Sequence, residues 1–179
     1  MTRAGGRRPN RGIAHRMSTL NLQVAPHWDE LDSIRDAVSA FLDGNGCNRD
    51  TCQAVVMTAS ELAENAIKYG DYGNGRPGQN VILSVALQPR RIVVEVRNPV
   101  APEATVDLRR LDAMVQWIRG FQDPFQAYVE RLKVVSLVSL TSAESGLGLV
   151  RVAYEGQALL DFFVTEDSTL AVSAVHQLS

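Results

Sequence analysis

Two alternating apolar runs on either side of a short turn constrain the fold of this chain more than any other feature. Strongly apolar residues occupy every second position in residues 81–87 and again in residues 92–96, with Gln88, Pro89 and Arg90 between the runs. A period of two is typical of a strand with one buried face, and so short a connection requires the two strands to be antiparallel. The chain therefore contains a β-hairpin, which excludes a purely parallel sheet.

The other elements follow from apolar periodicity and end signals. Strands are predicted at residues 20–24, 159–165 and 169–175. Helices are predicted at residues 31–42, from a cap at Asn48 or Asp50 to Gly70, at residues 107–119, from Pro124 to beyond Leu132, and at residues 146–154. Residues 71–79, dense in glycine and asparagine, are predicted to form a loop. This order of elements predicts an α+β fold, a two-layer sandwich with a mostly antiparallel mixed sheet and helices on one face.

Length and charge indicate one acidic domain with a basic tail. Residues 1–17 are rich in arginine and glycine and lack apolar periodicity, so we predict a flexible tail there and a single domain over residues 18–179. Five of the 18 basic residues lie in the first sixteen positions, which leaves thirteen basic and twenty acidic residues, a net charge of −7, in residues 17–179. This net negative charge disfavours nucleic acid as a partner.

The two cysteines and the lack of long apolar stretches argue against a disulfide-rich, zinc-binding or membrane protein. Cys47 and Cys52 have no histidine or cysteine pair nearby, so they predict neither a disulfide framework nor a zinc site. Every long apolar stretch is interrupted by Glu, Arg or Ser, and the basic N-terminal segment lacks the apolar core of a secretory signal. We expect no membrane partner and a cytoplasmic location.

The predicted second helix carries the first candidate for chemistry, within the sequence ELAENAIKYG. Glu61 and Asn65 are four residues apart and share a face, while Leu62 and Ala66 face the core. An amide oxygen can bind Mg²⁺, and a neighbouring carboxylate can accept a proton from a nucleophile. On spacing alone, two solvated helix residues remain the simpler interpretation.

A glycine-bearing turn, ESGLGLV at residues 144–150, leads into the last predicted helix. Its glycines would let backbone N–H groups and the positive helix end approach a phosphate chain. Taken alone, the pattern equally fits a loop whose glycines only permit close packing.

Together, ELAENAIKYG and ESGLGLVRVAY resemble the N box and the last glycine box of the GHKL superfamily, the histidine-kinase-like ATPases, and in particular the branch of anti-sigma-factor serine/threonine kinases. The resemblance implies that ATP and Mg²⁺ are bound, that Glu61 is the general base and that Asn65 holds Mg²⁺. It also implies that Lys68 and Tyr69 lie near the phosphates or the sugar. The residues implied to line the triphosphate are Gly146, Leu147, Gly148 and Leu149.

The chain departs from that family at the adenine-binding box, where the family has Asp-x-Gly-x-Gly. Asn98 stands in place of the aspartate and both glycines are absent from the segment NPVAP, residues 98–102. A neutral amide can present its carbonyl or its NH₂ to a base, so we expect weaker discrimination between bases. Residues 99–145 are also longer than the family's short lid and predict a helical insert with an apolar, aromatic face, formed by Met114, Trp117, Phe121, Phe125 and Tyr128. A packed small core or a partner surface would each explain that face.

The resulting expectation is an ATP-binding regulatory protein that phosphorylates a serine or threonine of a small antagonist-type partner protein. The alternative is a non-catalytic module of the same fold that acts by sequestering a partner. The Glu61 and Asn65 pair favours the kinase, and the replacement at Asn98 favours the alternative. The sequence leaves the oligomeric state open, with a homodimer among the arrangements.

Overall fold

A computed structural model describes residues 17–73, 79–101, 103–137 and 146–178. Of the predicted basic tail, only Met17 falls within these ranges, and it is exposed. The centre of the predicted loop at residues 71–79 and the last part of the predicted lid, residues 138–145, lie outside the described residues.

Within the described residues, five strands and five helices follow one another in the order predicted from the sequence. The strands are β1 (Ser18–Val24), β2 (Val81–Gln88), β3 (Arg91–Pro99), β4 (Ala158–Val164) and β5 (Thr169–Gln177). The helices are α1 (Glu30–Gly44), α2 (Arg49–Tyr69), α3 (Thr105–Arg119), α4 (Pro124–Leu137) and α5 (Leu147–Tyr154). Each predicted element is confirmed, with ends that differ by a few residues.

The strands form one sheet in the order β1-β2-β3-β5-β4, and every neighbouring pair in the described residues is antiparallel. The register places Leu83 opposite Val96 and Val94 opposite Ala174, so apolar side chains from neighbouring strands share one face. All four residues are buried. This arrangement confirms the predicted α+β sandwich with an antiparallel sheet.

Helix α2 packs against the sheet and against two other helices, α1 and α5. Its stripe of Val55, Ala59, Leu62 and Ala66 is buried, and α2 packs against β3 on one side and α1 on the other. Small alanine side chains on this stripe allow the helix backbone to approach the sheet closely. Helix α5 packs on α2 as well, so the start of α5 and the polar edge of α2 lie side by side.

The lid insert forms α3 and α4, which pack on each other and on α5. Of its predicted apolar, aromatic face, Met114, Phe121 and Tyr128 are half-buried against the core, whereas Trp117 and Phe125 are exposed. The rings of Phe125 and Tyr128 lie against Tyr154 of α5, each with a centroid separation of 5.1 Å. No helix in the described part of the chain is long and apolar enough to cross a bilayer.

Both ends of α2 are satisfied by specific hydrogen bonds. Of the two candidate caps, the structure selects Asn48, whose side-chain Oδ1 accepts from the backbone N–H of Thr51 at 2.8 Å. At the other end, the Gly70 N–H and the Tyr72 hydroxyl both donate to the carbonyl oxygen of Ala66, at 2.9 and 2.8 Å. A Cβ on Gly70 would lie 2.5 Å from the Tyr72 ring, so glycine permits this turn.

Replacing the cap of α2 is expected to weaken the whole fold, because this helix joins the core to the cleft. Asn48→Ala should lower the free energy of unfolding by about 1 kcal/mol. Asn48→Asp keeps a side-chain acceptor and should retain nearly all of the stability. Urea unfolding followed by circular dichroism measures both variants, and equal stability of Asn48→Ala and the wild type would contradict this capping role.

Candidate functional site

A cleft with a volume of about 940 Å³ opens between α2, the end of β3, the lid helices and the start of α5. This size lies within the range of small-ligand sites. Eight of the nine predicted site residues line it: Glu61, Asn65, Lys68, Tyr69, Asn98, Gly146, Gly148 and Leu149. Leu147, the ninth, begins α5 but is not among the lining residues.

The polar edge of α2 faces this cleft, as its spacing predicts. Glu61 and Asn65 both line the cleft, one helical turn apart, while the neighbouring Leu62 is buried in the core. Neither atom of the Asn65 side-chain amide is hydrogen-bonded to another described residue. The amide is therefore available to a ligand.

Lys68 and Tyr69 lie at the rim of the cleft at the end of the same helix. Both are exposed, and the Lys68 Nζ lies 4.8 Å from the centroid of the Tyr69 ring. This distance is typical of a cation–π contact. The pair is placed to meet the outer part of a ligand that fills the cleft.

The start of α5 forms the opposite wall, and its two glycines are required there for different reasons. Gly146 has φ +60°, and a Cβ on it would lie 2.7 Å from Met114 Cε and 2.8 Å from a guanidinium nitrogen of Arg131. A Cβ on Gly148 would overlap Oε2 of Glu61. Glycine at 148 thus lets the Glu61 carboxylate lie directly against the first turn of α5.

The Glu61 carboxylate is held by a charged network from α5. Arg151 Nη1 donates to Glu61 Oε1 at 2.5 Å, and the same guanidinium donates to both carboxylate oxygens of Glu155, at 3.0 and 3.1 Å. Burial raises the pKa of Glu61 above its ordinary value, an effect that outweighs the lowering by the charge of Arg151, and the nearby Glu64 raises this pKa further. A carboxylate with a raised pKa in a cleft suits proton transfer.

Asn98 lies on the floor of the cleft and is 3% exposed. Its Nδ2 donates to the carbonyl oxygen of Pro99 at 3.0 Å, and the same carbonyl accepts from the backbone N–H of Asp71 at 2.8 Å. The amide is therefore oriented, with Oδ1 left as its acceptor, whereas the sequence left both orientations open. Weaker discrimination between bases stays a prediction.

Several lining residues were not predicted from the sequence as site residues. Trp28 precedes α1, Arg110 lies on α3 and Arg131 on α4, and all three line the cleft. Two arginines thus bring positive charge to a cleft in a chain that is acidic beyond residue 16. No local motif surrounds these residues, so only the tertiary packing reveals them.

The residues present fit a magnesium ion held together with phosphates better than a metal cage built by protein alone. No group of three or more His, Cys, Asp or Glu side chains in the described ranges could hold a metal ion. Mg²⁺ usually takes one or two protein oxygens and completes its shell with phosphate and water, which the Asn65 amide oxygen allows. Cys47 and Cys52 are free thiols outside this cleft.

The comparisons agree with the fold. Residues 24–153, well over half of the chain, match the histidine kinase-like ATPase domain. The chain belongs to this family, which confirms the resemblance to the GHKL superfamily and implies ATP as a ligand. The structure is also similar to a solved structure described as the SiaB–SiaC complex from Pseudomonas aeruginosa, with a TM-score of 0.64, 17% identity and 92% of each chain covered. No curated protein sequence matched the chain.

The geometry at Gly146 predicts that a methyl group there closes the cleft. Gly146→Ala combines positive-φ strain with overlap on Met114 and Arg131, and overlap of this kind costs about 1–3 kcal/mol. We expect ATP–Mg²⁺ affinity, measured by titration calorimetry, to fall by about tenfold or more.

Gly46 offers a matched control, because it has φ +75° and nothing within 4 Å of its Cβ position. Gly46→Ala carries the backbone strain, about 1–2 kcal/mol, without the overlap. This variant should lose stability but keep ATP affinity. If both variants bind ATP–Mg²⁺ like the wild type, the start of α5 does not contact the nucleotide.

Proposed function

We propose that this protein binds ATP with Mg²⁺ in the cleft and transfers the γ-phosphoryl group to a serine or threonine hydroxyl of a small regulatory protein. The observation that carries the proposal is the meeting of the Glu61 carboxylate, the Asn65 amide and the glycine turn of α5 in one cleft. Family membership supports ATP as the phosphoryl donor.

The chain's own groups would bind and orient the triphosphate. Asn65 would hold Mg²⁺ through its amide oxygen, and bound Mg²⁺ would neutralise charge on the phosphate oxygens. The backbone N–H groups at the start of α5 suit phosphate, since a helix N-terminus carries partial positive charge. Arg131 and Arg110, the latter paired with Asp107, also line the same cleft. Catalysis would rest mainly on positioning and electrostatic stabilisation.

Glu61 would accept the proton of the attacking hydroxyl. The hydroxyl oxygen forms the new bond to the γ-phosphorus, the bond from this phosphorus to the bridging oxygen breaks, and ADP leaves with that electron pair. The hydroxyl proton passes to the Glu61 carboxylate. A pKa raised by burial makes this carboxylate a better proton acceptor than an exposed glutamate.

A protein partner is supported by the similar solved structure, which is a complex of SiaB with SiaC. By analogy, this chain would act on a small regulatory protein of the antagonist type, as the anti-sigma-factor kinase branch does. The net charge of residues 17–179 argues against nucleic acid in that role. The reaction is proposed to take place in the cytoplasm.

Loss of the base should separate transfer from binding. Glu61→Ala should bind ATP–Mg²⁺ with near wild-type affinity but lose transfer to the partner by about 10²- to 10⁴-fold. The partner is first recovered by affinity purification from the source cells and identified by mass spectrometry, and transfer is followed with γ-labelled ATP. Glu95→Gln is the matched control, because Glu95 lies on β3 between the buried Val94 and Val96 and faces away from the helices.

The alternative is a module that sequesters its partner without phosphorylating it. The segment at residues 98–102 favours this function, since it lacks both glycines of the family's adenine box and contains two prolines. Wild-type protein that binds its partner in the presence of ATP–Mg²⁺ and leaves it unlabelled would contradict the kinase and establish the alternative.

Removing the proposed magnesium ligand should affect binding itself. Asn65→Ala is expected to lose the Mg²⁺-dependent part of ATP affinity, so that adding EDTA changes its affinity no further. Gln53→Ala, on the exposed side of the same helix, should behave as the wild type. Titration calorimetry with and without Mg²⁺ measures both variants. A wild-type response of Asn65→Ala to Mg²⁺ would exclude Asn65 as a ligand.

A further inference from the structure

The contact between Glu61 and Arg151 joins the proposed base to the helix that carries the glycine turn. Arg151 lies on α5, five residues after Gly146, and its Nη1 reaches Oε1 of Glu61 on α2 at 2.5 Å. The other oxygen of this carboxylate, Oε2, is the atom nearest to the Cβ position of Gly148. The two oxygens of Glu61 thus have different surroundings.

Arg151 is itself held in place. Its Nε and Nη2 donate to the two carboxylate oxygens of Glu155, the residue that follows the end of α5, so the contact is bidentate. Such a fork restricts the guanidinium plane far more than a single hydrogen bond does. Glu155 therefore orients the guanidinium of Arg151, and this guanidinium in turn orients the Glu61 carboxylate.

Arg35, the other arginine that acts on Glu61 electrostatically, is committed elsewhere. It forms ion pairs with Asp32 and Glu64, and its Nε donates to the Ser60 hydroxyl at 3.0 Å. Within the described ranges, Arg151 is thus the one arginine that forms an ion pair with Glu61.

We propose that Arg151 is a positioning residue for phosphoryl transfer, which ties Oε1 of Glu61 so that Oε2 stays against the glycine turn as the proton acceptor. This assignment rests on the proposed function. A glutamate side chain has three rotatable bonds, so a base tied at one oxygen avoids the many orientations in which the other oxygen misses the acceptor hydroxyl.

If the role of Arg151 were purely structural, its removal would give different results. The side chain of Glu61 is only 15% exposed, so removing Arg151 would leave a largely buried carboxylate without its ion pair and would lower the free energy of unfolding. A purely structural role would cause this loss of stability and leave turnover unchanged. A restraining role, in which Arg151 blocks the base, would make turnover faster when Arg151 is removed.

The test compares Arg151→Ala and Arg151→Lys in the wild-type and Glu61→Ala backgrounds. Release of phosphate from γ-labelled ATP, with water as the acceptor, gives kcat and KM without needing the partner. We expect Arg151→Ala to lower kcat by about 10- to 100-fold, as for a misplaced reacting group, with KM for ATP within about twofold. Arg151→Lys should recover part of the loss. In the Glu61→Ala background, Arg151→Ala should cause no further loss, because its effect acts through Glu61.

Arg97→Ala serves as the matched control, since it removes an exposed arginine that pairs with Glu95 on β3, away from the cleft, and it should keep the wild-type kcat. Unchanged or faster turnover of Arg151→Ala overturns the positioning role, as does an equal loss in both backgrounds. Wild-type protein with no turnover, with water or with the partner, overturns the proposed function and this assignment together. Normal wild-type turnover with an unaffected Arg151→Ala overturns this assignment alone.

Discussion

The packing of the α2 stripe on the sheet is the constraint on which the rest of the molecule depends. Ala59, Leu62 and Ala66 are buried against the core, which sets the rotation of the helix about its own axis. Once that rotation is set, the helical repeat places Glu61 and Asn65 at the edge that faces α5. Apolar burial, the largest favourable contribution to folding, thereby also places the chemical groups.

The cleft depends equally on two glycines, which leave room because they have no side chain. Gly148 allows the Glu61 carboxylate to lie on the backbone of α5, and Gly146 leaves room for Arg131 and Met114 from the lid helices. At the other end, the carbonyl of Pro99 accepts from both Asn98 and Asp71, so hydrogen bonds hold a segment that in the wider family has glycines. This end of the cleft is thus held by hydrogen bonds to a backbone carbonyl.

Much of this arrangement could be predicted from the sequence. Alternation within the hairpin and the helical spacing of α2 are local patterns, and both the sheet and the polar edge of α2 follow from them. The ion pair of Glu61 with Arg151 joins residues ninety positions apart, and Arg131 meets Gly146 through the packing of the lid on α5. Such contacts depend on tertiary packing, which local periodicity does not encode. The orientation of the Asn98 amide depends on a backbone carbonyl and is likewise beyond a residue pattern.

The central claim is that one cleft between α2 and α5 receives the nucleotide. It is tested most directly by NMR of the ¹⁵N-labelled protein, titrated with Mg²⁺ and a non-hydrolysable ATP analogue. The account predicts that amide signals of Asn65, Asn98, Gly146 and Gly148 shift together and saturate at one common affinity, while those of the exposed face of β1 remain in place. Saturating analogue that leaves these four signals unchanged, or that shifts only signals of β1, would contradict it.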